Sequence, residues 1–119
     1  MAYDKRYGEF VRELLEDLGD IRLRPMFGGA GVYVDDLFFA LVFEETLFLR
    51  ADDENRAAFE AAGSRQFTYP TKDGEIMSMA YWSLPDTAAD DPEEAVAWAR
   101  GAVDATIRKA AAKKTPKRT

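Results

Sequence analysis

The sequence contains neither cysteine nor histidine in its 119 residues. Without cysteine it can form no disulfide and has no thiolate nucleophile, and without histidine it has no imidazole base. The two side chains that most often bind zinc are therefore both missing. Carboxylates alone would have to hold a metal, a donor set that suits Mg²⁺ or Ca²⁺. We expect no enzyme activity, no metal and no other cofactor.

Long hydrophobic runs are also missing. The longest, Leu37–Phe43, is far shorter than the ~20 residues that a membrane helix needs. Residues 1–20 are charged throughout, unlike the apolar centre of a signal peptide. We therefore expect no membrane contact and a cytoplasmic location. A hydrophobic content of 47% is enough for one core, and the length suits one domain.

Basic charge is scarce except at the end of the chain. The net charge is −6, yet residues 109–119 hold five of the 16 basic residues and none of the 22 acidic ones. We therefore predict a folded domain over residues 1–108 and a disordered basic tail over residues 109–119. Because phosphate backbones are bound mainly by Lys and Arg, the acidic body predicts weak or absent direct DNA binding.

Hydrophobic periodicity predicts the order α-β-β-β-β-α-β-β-α. The predicted helices cover residues 4–18, 52–62 and the segment from 92 onward, and the predicted strands cover 21–24, 31–34, 37–43, 46–50, 65–69 and 76–82. Short acidic turns at 35–36 and 44–45 and a hairpin signal at 72–74 favour antiparallel neighbours. The nearly all-apolar strand 37–43 is expected at the centre, covered on both faces. We predict a single α+β domain with a mostly antiparallel sheet packed by helices.

The last predicted helix has an unusually wide apolar arc. Beside the stripe through Val96, Ala99 and Val103, the arc also includes Trp98 and Ala102. One sheet would not cover so wide an arc. We therefore predict a second covering surface, with Trp98 and Ala102 as contacts of a partner or of a homodimer.

Aromatic residues crowd the two strands before this helix. They are Phe67, Tyr69, Tyr81 and Trp82. Aromatic side chains beside basic ones can stack on nucleobases, but cross-strand packing explains the cluster as well. We predict that Tyr81 and Trp82 lie in the core or in a partner or dimer contact.

Two arginines support a second hypothesis for the function, a small-molecule or anion-binding domain. Arg22 and Arg24 are two residues apart on a predicted strand, so both should point the same way and could grip a carboxylate or phosphate. With the Phe27-Gly28-Gly29 turn they would form a small-molecule or anion site. The alternative is a solvated face paired with nearby acids. A phosphate loop is not indicated, because a strand and not a helix follows the glycines.

Several motifs together resemble the N-terminal domain of the TfoX/Sxy family. They are Arg24-Pro25-Met26-Phe27-Gly28-Gly29, Gly31-Val32-Tyr33, Phe38-Phe39-Ala40-Leu41, the stretch from Tyr69-Pro70 to Ser78-Met79-Ala80-Tyr81-Trp82, Leu84-Pro85, Asp90-Asp91-Pro92-Glu93 and Ala97-Trp98-Ala99. The likeness covers about residues 5–107.

The resemblance implies an α+β fold similar to that of secretion chaperones. The family is named for regulators of competence, which act with the cyclic-AMP receptor protein at promoters. It brings no catalytic residue to this chain. Longer members carry a second, C-terminal domain, which we do not expect here. The resemblance therefore implies a non-enzymatic regulatory, protein-interaction module. Its expected partners are the transcription machinery or a regulator like the cyclic-AMP receptor protein, and a second copy in a homodimer.

Overall fold

Three helices and six strands follow one another in the predicted order. The computed structural model describes residues 4–26, 28–70 and 76–114. The helices are α1 (Lys5–Leu14), α2 (Arg56–Ala61) and α3 (Pro92–Lys114), with one-turn 3-10 helices at Glu16–Leu18 and Asp86–Ala88. The strands are β1 (Ile21–Met26), β2 (Gly29–Val34), β3 (Leu37–Phe43), β4 (Thr46–Arg50), β5 (Gln66–Pro70) and β6 (Ile76–Ser83).

The six strands form one antiparallel sheet in the order β1-β2-β3-β4-β6-β5. The β2–β3 and β3–β4 hairpins turn at Asp35-Asp36 and Glu44-Glu45, where all four residues have positive φ angles between 49° and 65°. Two consecutive left-handed residues match the twist of the strands on either side, which explains the tight meander. The predicted hairpin turn at residues 72–74 lies outside the described residues.

All three helices pack on the same face of the sheet. Val11 of α1, Phe59 of α2 and Ala99 of α3 are fully buried in one cluster with Leu49 of β4, here called the main core. A second, smaller cluster, containing Phe48, Phe67 and Tyr81, lies apart from it. Phe48 lies between Leu47 and Leu49 of the main core on β4, so its side chain points to the opposite side of the sheet. The second cluster therefore belongs to that side. This side, which carries no helix among the described residues, is the open face.

The ends of α1 follow the sequence only in part. The Asp4 carboxylate accepts a hydrogen bond from the Arg6 amide at 2.8 Å, so the predicted N-cap is present. The helix ends four residues before the predicted 18, and the chain continues as the 3-10 turn Glu16–Leu18. Gly19 then has φ 150° and ψ −164°, a conformation that favours glycine but differs from the predicted left-handed helix cap.

The second helix is shorter than predicted. It begins at Arg56, because Asp52 closes a turn instead of a helix and accepts bonds from the amides of Glu54 and Asn55. Gly63 follows it with a φ of 80°, the left-handed position predicted for the stop.

Among the described residues, helices cover the central strand β3 on one face only, so the prediction of cover on both faces is wrong. Phe39, Ala40 and Val42 are buried in the main core, whereas Leu41 and Phe43 are only partly buried on the open face. The register between β2 and β3 shifts beside Phe39, which is how two consecutive residues, 39 and 40, both reach the main core. Because every residue of this strand is apolar, the sequence has no alternation from which such a bulge could be predicted.

The last helix extends into the predicted tail. α3 begins at Pro92 after the Asp91 cap and continues to Lys114. Residues 109–114 thus belong to this helix, and residues 115–119 lie outside the described part of the chain. The boundary between a folded domain and a disordered tail stays a prediction.

Candidate functional site

The strands carry charge of only one sign. None of the six strands contains an aspartate or glutamate, although the chain has 22 of them, and the only charged strand residues are Arg22, Arg24 and Arg50. Arg22 and Arg24 alternate with Ile21 and Leu23, which face the main core, so both arginines lie on the open face. The open face is thus basic in an acidic protein.

An aromatic row crosses the open face between two of these arginines. The Tyr33 and Phe38 rings are stacked, with centroids 5.1 Å apart and planes at 21°, and the Phe38 centroid lies 5.9 Å from that of Tyr81. The Arg24 guanidinium lies 5.9 Å from the Tyr33 ring centroid, and that of Arg50 lies 4.8 Å from the Tyr81 centroid. Tyr33, Phe38 and Tyr81 are called the aromatic row below. Strands β1, β2, β3, β4 and β6 all contribute to this arrangement.

Gly31 makes room for this packing. A Cβ atom at Gly31 would lie 3.0 Å from Cε1 of Phe38 and 3.2 Å from Cε1 of Tyr33, tighter than ordinary contacts. The two rings therefore lie directly over the β2 backbone. Tyr33 and Phe38 are only half-buried, so part of this apolar surface remains open to solvent.

Arg50 and Tyr81 form the more enclosed end of the row. Nη2 of Arg50 donates a hydrogen bond to the Tyr81 hydroxyl oxygen at 2.6 Å. Burial raises the pKa of Tyr81, against the opposing effect of the nearby Arg50 charge and hydrogen bond. The phenol therefore stays neutral at physiological pH. The buried Nε of Arg50 has no hydrogen-bond acceptor among the described residues.

The open face combines half-exposed aromatic rings with exposed guanidinium groups. Phe38 is stacked on Tyr33 and occupies one face of its ring, and the Arg24 guanidinium lies 5.9 Å from the Tyr33 centroid. Half-exposed aromatic rings with arginines are typical of protein interfaces. Within residues 4–26, 28–70 and 76–114, no group of three acidic residues could hold a metal ion. None of the described helices is long and apolar enough to cross a membrane.

The two arginines predicted to share a side do so, but each already has a neighbour. Arg22 Nε lies 3.9 Å from Asp20, and Arg24 lies over Tyr33. Phe27, the third part of the predicted anion site, is outside the described residues. Gly29 starts β2, where a Cβ would collide with the Val42 carbonyl oxygen of β3. That close approach of two strands accounts for this glycine without a ligand.

The structure separates the four residues predicted as partner or dimer contacts. Tyr81 lies on the open face and is 4% exposed, while Trp82, Trp98 and Ala102 lie on the helix side. Ala102 is fully buried in the main core, so it has no surface to offer a partner. A contact of Trp98 or Trp82 with a second molecule stays a prediction.

The second surface predicted for α3 is partly supplied by the chain itself. Trp98 packs on Phe59 of α2, with ring centroids 4.8 Å apart, and its Nε1 donates to the Glu94 carboxylate at 3.2 Å. Trp98 remains partly exposed beside a cleft of about 250 Å³ between α2 and α3, which Asn55 and Gly101 also line. The wide apolar arc therefore does not by itself require a partner.

Sequence reasoning missed Tyr33, Phe38 and Arg50 as members of one surface. They come from β2, β3 and β4, and only the strand register brings them together. One available signal was the complete absence of acids from every strand.

Comparison with known proteins agrees with this architecture. The model of the family described as TfoX N-terminal domain matches residues 13–106. The chain belongs to the TfoX N-terminal domain family. A curated relative, DNA transformation protein TfoX1 of Aliivibrio fischeri, is 30% identical over 89 residues, which are 75% of this chain. The match spans only 40% of that relative's length, so it concerns one part of a longer protein.

Proposed function

We propose that this TfoX N-terminal domain is a non-enzymatic regulatory module that acts in the cytoplasm by binding another protein through the open face of its sheet. The observation that carries this proposal is that two members of the aromatic row between Arg24 and Arg50, Tyr33 and Phe38, are half-exposed on a face that no described helix covers.

The composition of the face supports protein binding. Tyrosine and arginine are enriched among the residues that contribute most to binding energy, because each combines a large apolar area with hydrogen-bond donors. Tyr33 and Phe38 supply the apolar area, and Arg24 lies at the solvent-exposed edge. The rings already contact each other, so little side-chain entropy remains to be lost on binding.

The name of the relative suggests where such a module acts. That relative is called a DNA transformation protein. We propose that this chain contributes to regulation of a related kind by contacting the transcription machinery or a regulator like the cyclic-AMP receptor protein. Direct DNA contact is not needed, and the net charge of −6 disfavours it.

Crosslinking in living cells tests the proposal with two matched phenylalanines. Phe38 is half-buried on the open face, and Phe10 is 41% exposed on α1. The affinity-tagged chain is crosslinked and captured as wild type, Phe38→Asp and Phe10→Asp, with circular dichroism to show that each is folded. We expect a specific protein to be captured with wild type and Phe10→Asp and lost with Phe38→Asp. Capture of the same proteins with all three, or of none above a tag-only control, contradicts the proposal.

A further inference from the structure

We infer that the segment bound by the open face is an extended acidic strand, with carboxylates at alternate positions that meet Arg22 and Arg24 and with an apolar side chain that packs on Tyr33 and Phe38. This inference rests on the proposed function and specifies the chemistry of the partner.

Charge complementarity is the first argument. The six strands contain three arginines, of which Arg22 and Arg24 are exposed on the open face, and none of the 22 carboxylates of the chain. A partner without acids would leave these cations desolvated and unpaired at the interface, which costs binding free energy. A partner with carboxylates gains charge-assisted hydrogen bonds there instead.

The arginines have donors available for such a partner. The Arg22 side chain is 70% exposed, and its neighbour Asp20 is 86% exposed at 3.9 Å, a loose surface pair that contributes little and can be exchanged. Arg24 is exposed and lies over the Tyr33 ring. A guanidinium stacked on a ring keeps its in-plane N–H groups free to bind a carboxylate with two bonds.

The spacing of the arginines indicates the shape of the segment. Residues two apart on a strand are separated by about 7 Å and point the same way. Acids at positions i and i+2 of an extended segment have the same separation, so both carboxylates can meet Arg22 and Arg24 at once. β1 is also an edge strand of the sheet, next to which an extended segment can lie.

A second copy of the chain fits the open face poorly. Two copies joined face to face would bring six arginines and no strand carboxylate into one interface, since each copy supplies three. Like charges placed together in an interface oppose association. A homodimer, if present, is expected to use another surface.

A single-stranded nucleic acid fits less well than an acidic protein segment. Bases bind such faces by stacking on free aromatic rings. Here Phe38 is already stacked on Tyr33 and occupies one face of that ring, and the chain as a whole repels phosphates with its net charge of −6.

A displayed library of random 15-residue peptides tests the inference. It is selected against the immobilised full chain as wild type, as Arg22→Gln/Arg24→Gln, and as the control Arg6→Gln/Arg12→Gln, which removes two exposed arginines from α1. We expect wild type and control to enrich peptides with Asp or Glu at i and i+2 and an apolar residue at i−2 or i+4, on the same side of the extended segment. By fluorescence anisotropy, the best such peptide should lose at least tenfold in affinity for the Arg22/Arg24 variant and less than twofold for the control.

Several outcomes overturn the inference. They are enriched peptides without acids, no enrichment above an inert scaffold, an equal loss of affinity in the control variant, or tighter binding of a single-stranded 20-mer DNA that depends on Arg22 and Arg24. A wild-type dimer by light scattering that Phe38→Asp dissociates would also overturn it in favour of a second copy. None of these by itself removes the proposed function, because crosslinked capture in cells tests protein binding of any chemistry.

Discussion

Arg108, late in α3, donates two hydrogen bonds to the carboxylate of Asp52, which lies 56 residues earlier in the loop before α2. Nε is 2.7 Å from Oδ2 and Nη2 is 2.9 Å from Oδ1, the two-bond geometry that only arginine provides. Nearby, Nδ2 of Asn55 donates to the Gly101 carbonyl oxygen at 3.3 Å. These contacts fix the last helix to the segment that follows β4.

The Asp52–Arg108 pair predicts a pH-dependent stability. The hydrogen bond from Arg108 is the main cause that holds the pKa of Asp52 below its usual value, although partial burial acts in the opposite direction. A carboxyl group whose pKa is lower in the folded state stabilises the protein above its unfolded pKa, about 3.9 for aspartate. That contribution is lost as the pH falls through the folded pKa.

Asp52→Asn should therefore lower the urea midpoint at pH 7, with a difference from wild type that shrinks as the pH falls below about 4. The control is Asp53→Asn, because Asp53 is almost fully exposed and forms only a surface pair with Arg56. Urea unfolding at pH 7, 5, 4 and 3 measures this. An equal loss in both variants at pH 7, or a difference that does not change with pH, contradicts the assignment.

Adjacent phenylalanines on opposite faces of β3 should differ in their effect on stability. Phe39 is fully buried in the main core, so Phe39→Ala should lower the free energy of unfolding by about 3–5 kcal/mol. Phe38 is half-buried on the open face, so Phe38→Ala should cost about 1–2 kcal/mol. Urea denaturation at pH 7 measures both. Equal losses would show that the bulge beside Phe39 is misplaced.

Two glycine substitutions should act in opposite directions. At Gly29 a Cβ would collide with the Val42 carbonyl oxygen of the neighbouring strand, so Gly29→Ala should cost about 1–3 kcal/mol of stability. At Gly101, inside α3, the nearest atom to a new Cβ is Nδ2 of Asn55 at 3.8 Å. Gly101→Ala should therefore gain about 0.5–1 kcal/mol, because alanine loses less backbone entropy in a helix. Thermal unfolding of both variants checks the signs, and a stable Gly29→Ala protein would contradict the close strand approach.

The predicted homodimer can be tested at Trp98. If Trp98 lies in a dimer contact, light scattering at micromolar concentration should give about twice the chain mass of 13.4 kDa, and Trp98→Glu should return it to 13.4 kDa. Circular dichroism should stay helical, although loss of the Phe59 contact is expected to lower stability. The control is Ile107→Glu, since Ile107 is 47% exposed on the same helix. A mass of 13.4 kDa for the wild type at all concentrations excludes the dimer.

Much of the fold follows from local sequence. The alternation in β1, the acidic two-residue turns and the Asp91-Pro92 start of α3 are local signals, and each predicted the element that forms. Helix ends were less accurate: α1 stops before the predicted residue, and α3 continues past it. Such ends depend on packing as well as on capping residues.

The candidate site could be predicted from local sequence only in part. The sequence by itself determined that the segments predicted as strands contain arginine and no acid, because the order of the residues and their hydrophobic periodicity are enough to show it. Only the tertiary structure decided that Tyr33, Phe38 and Tyr81 form one row, because the β2–β3 bulge and the β4–β6 pairing set which residues meet. It also decided that Ala102 is buried while Trp98 packs on Phe59, because contacts between distant residues are not encoded in helical periodicity.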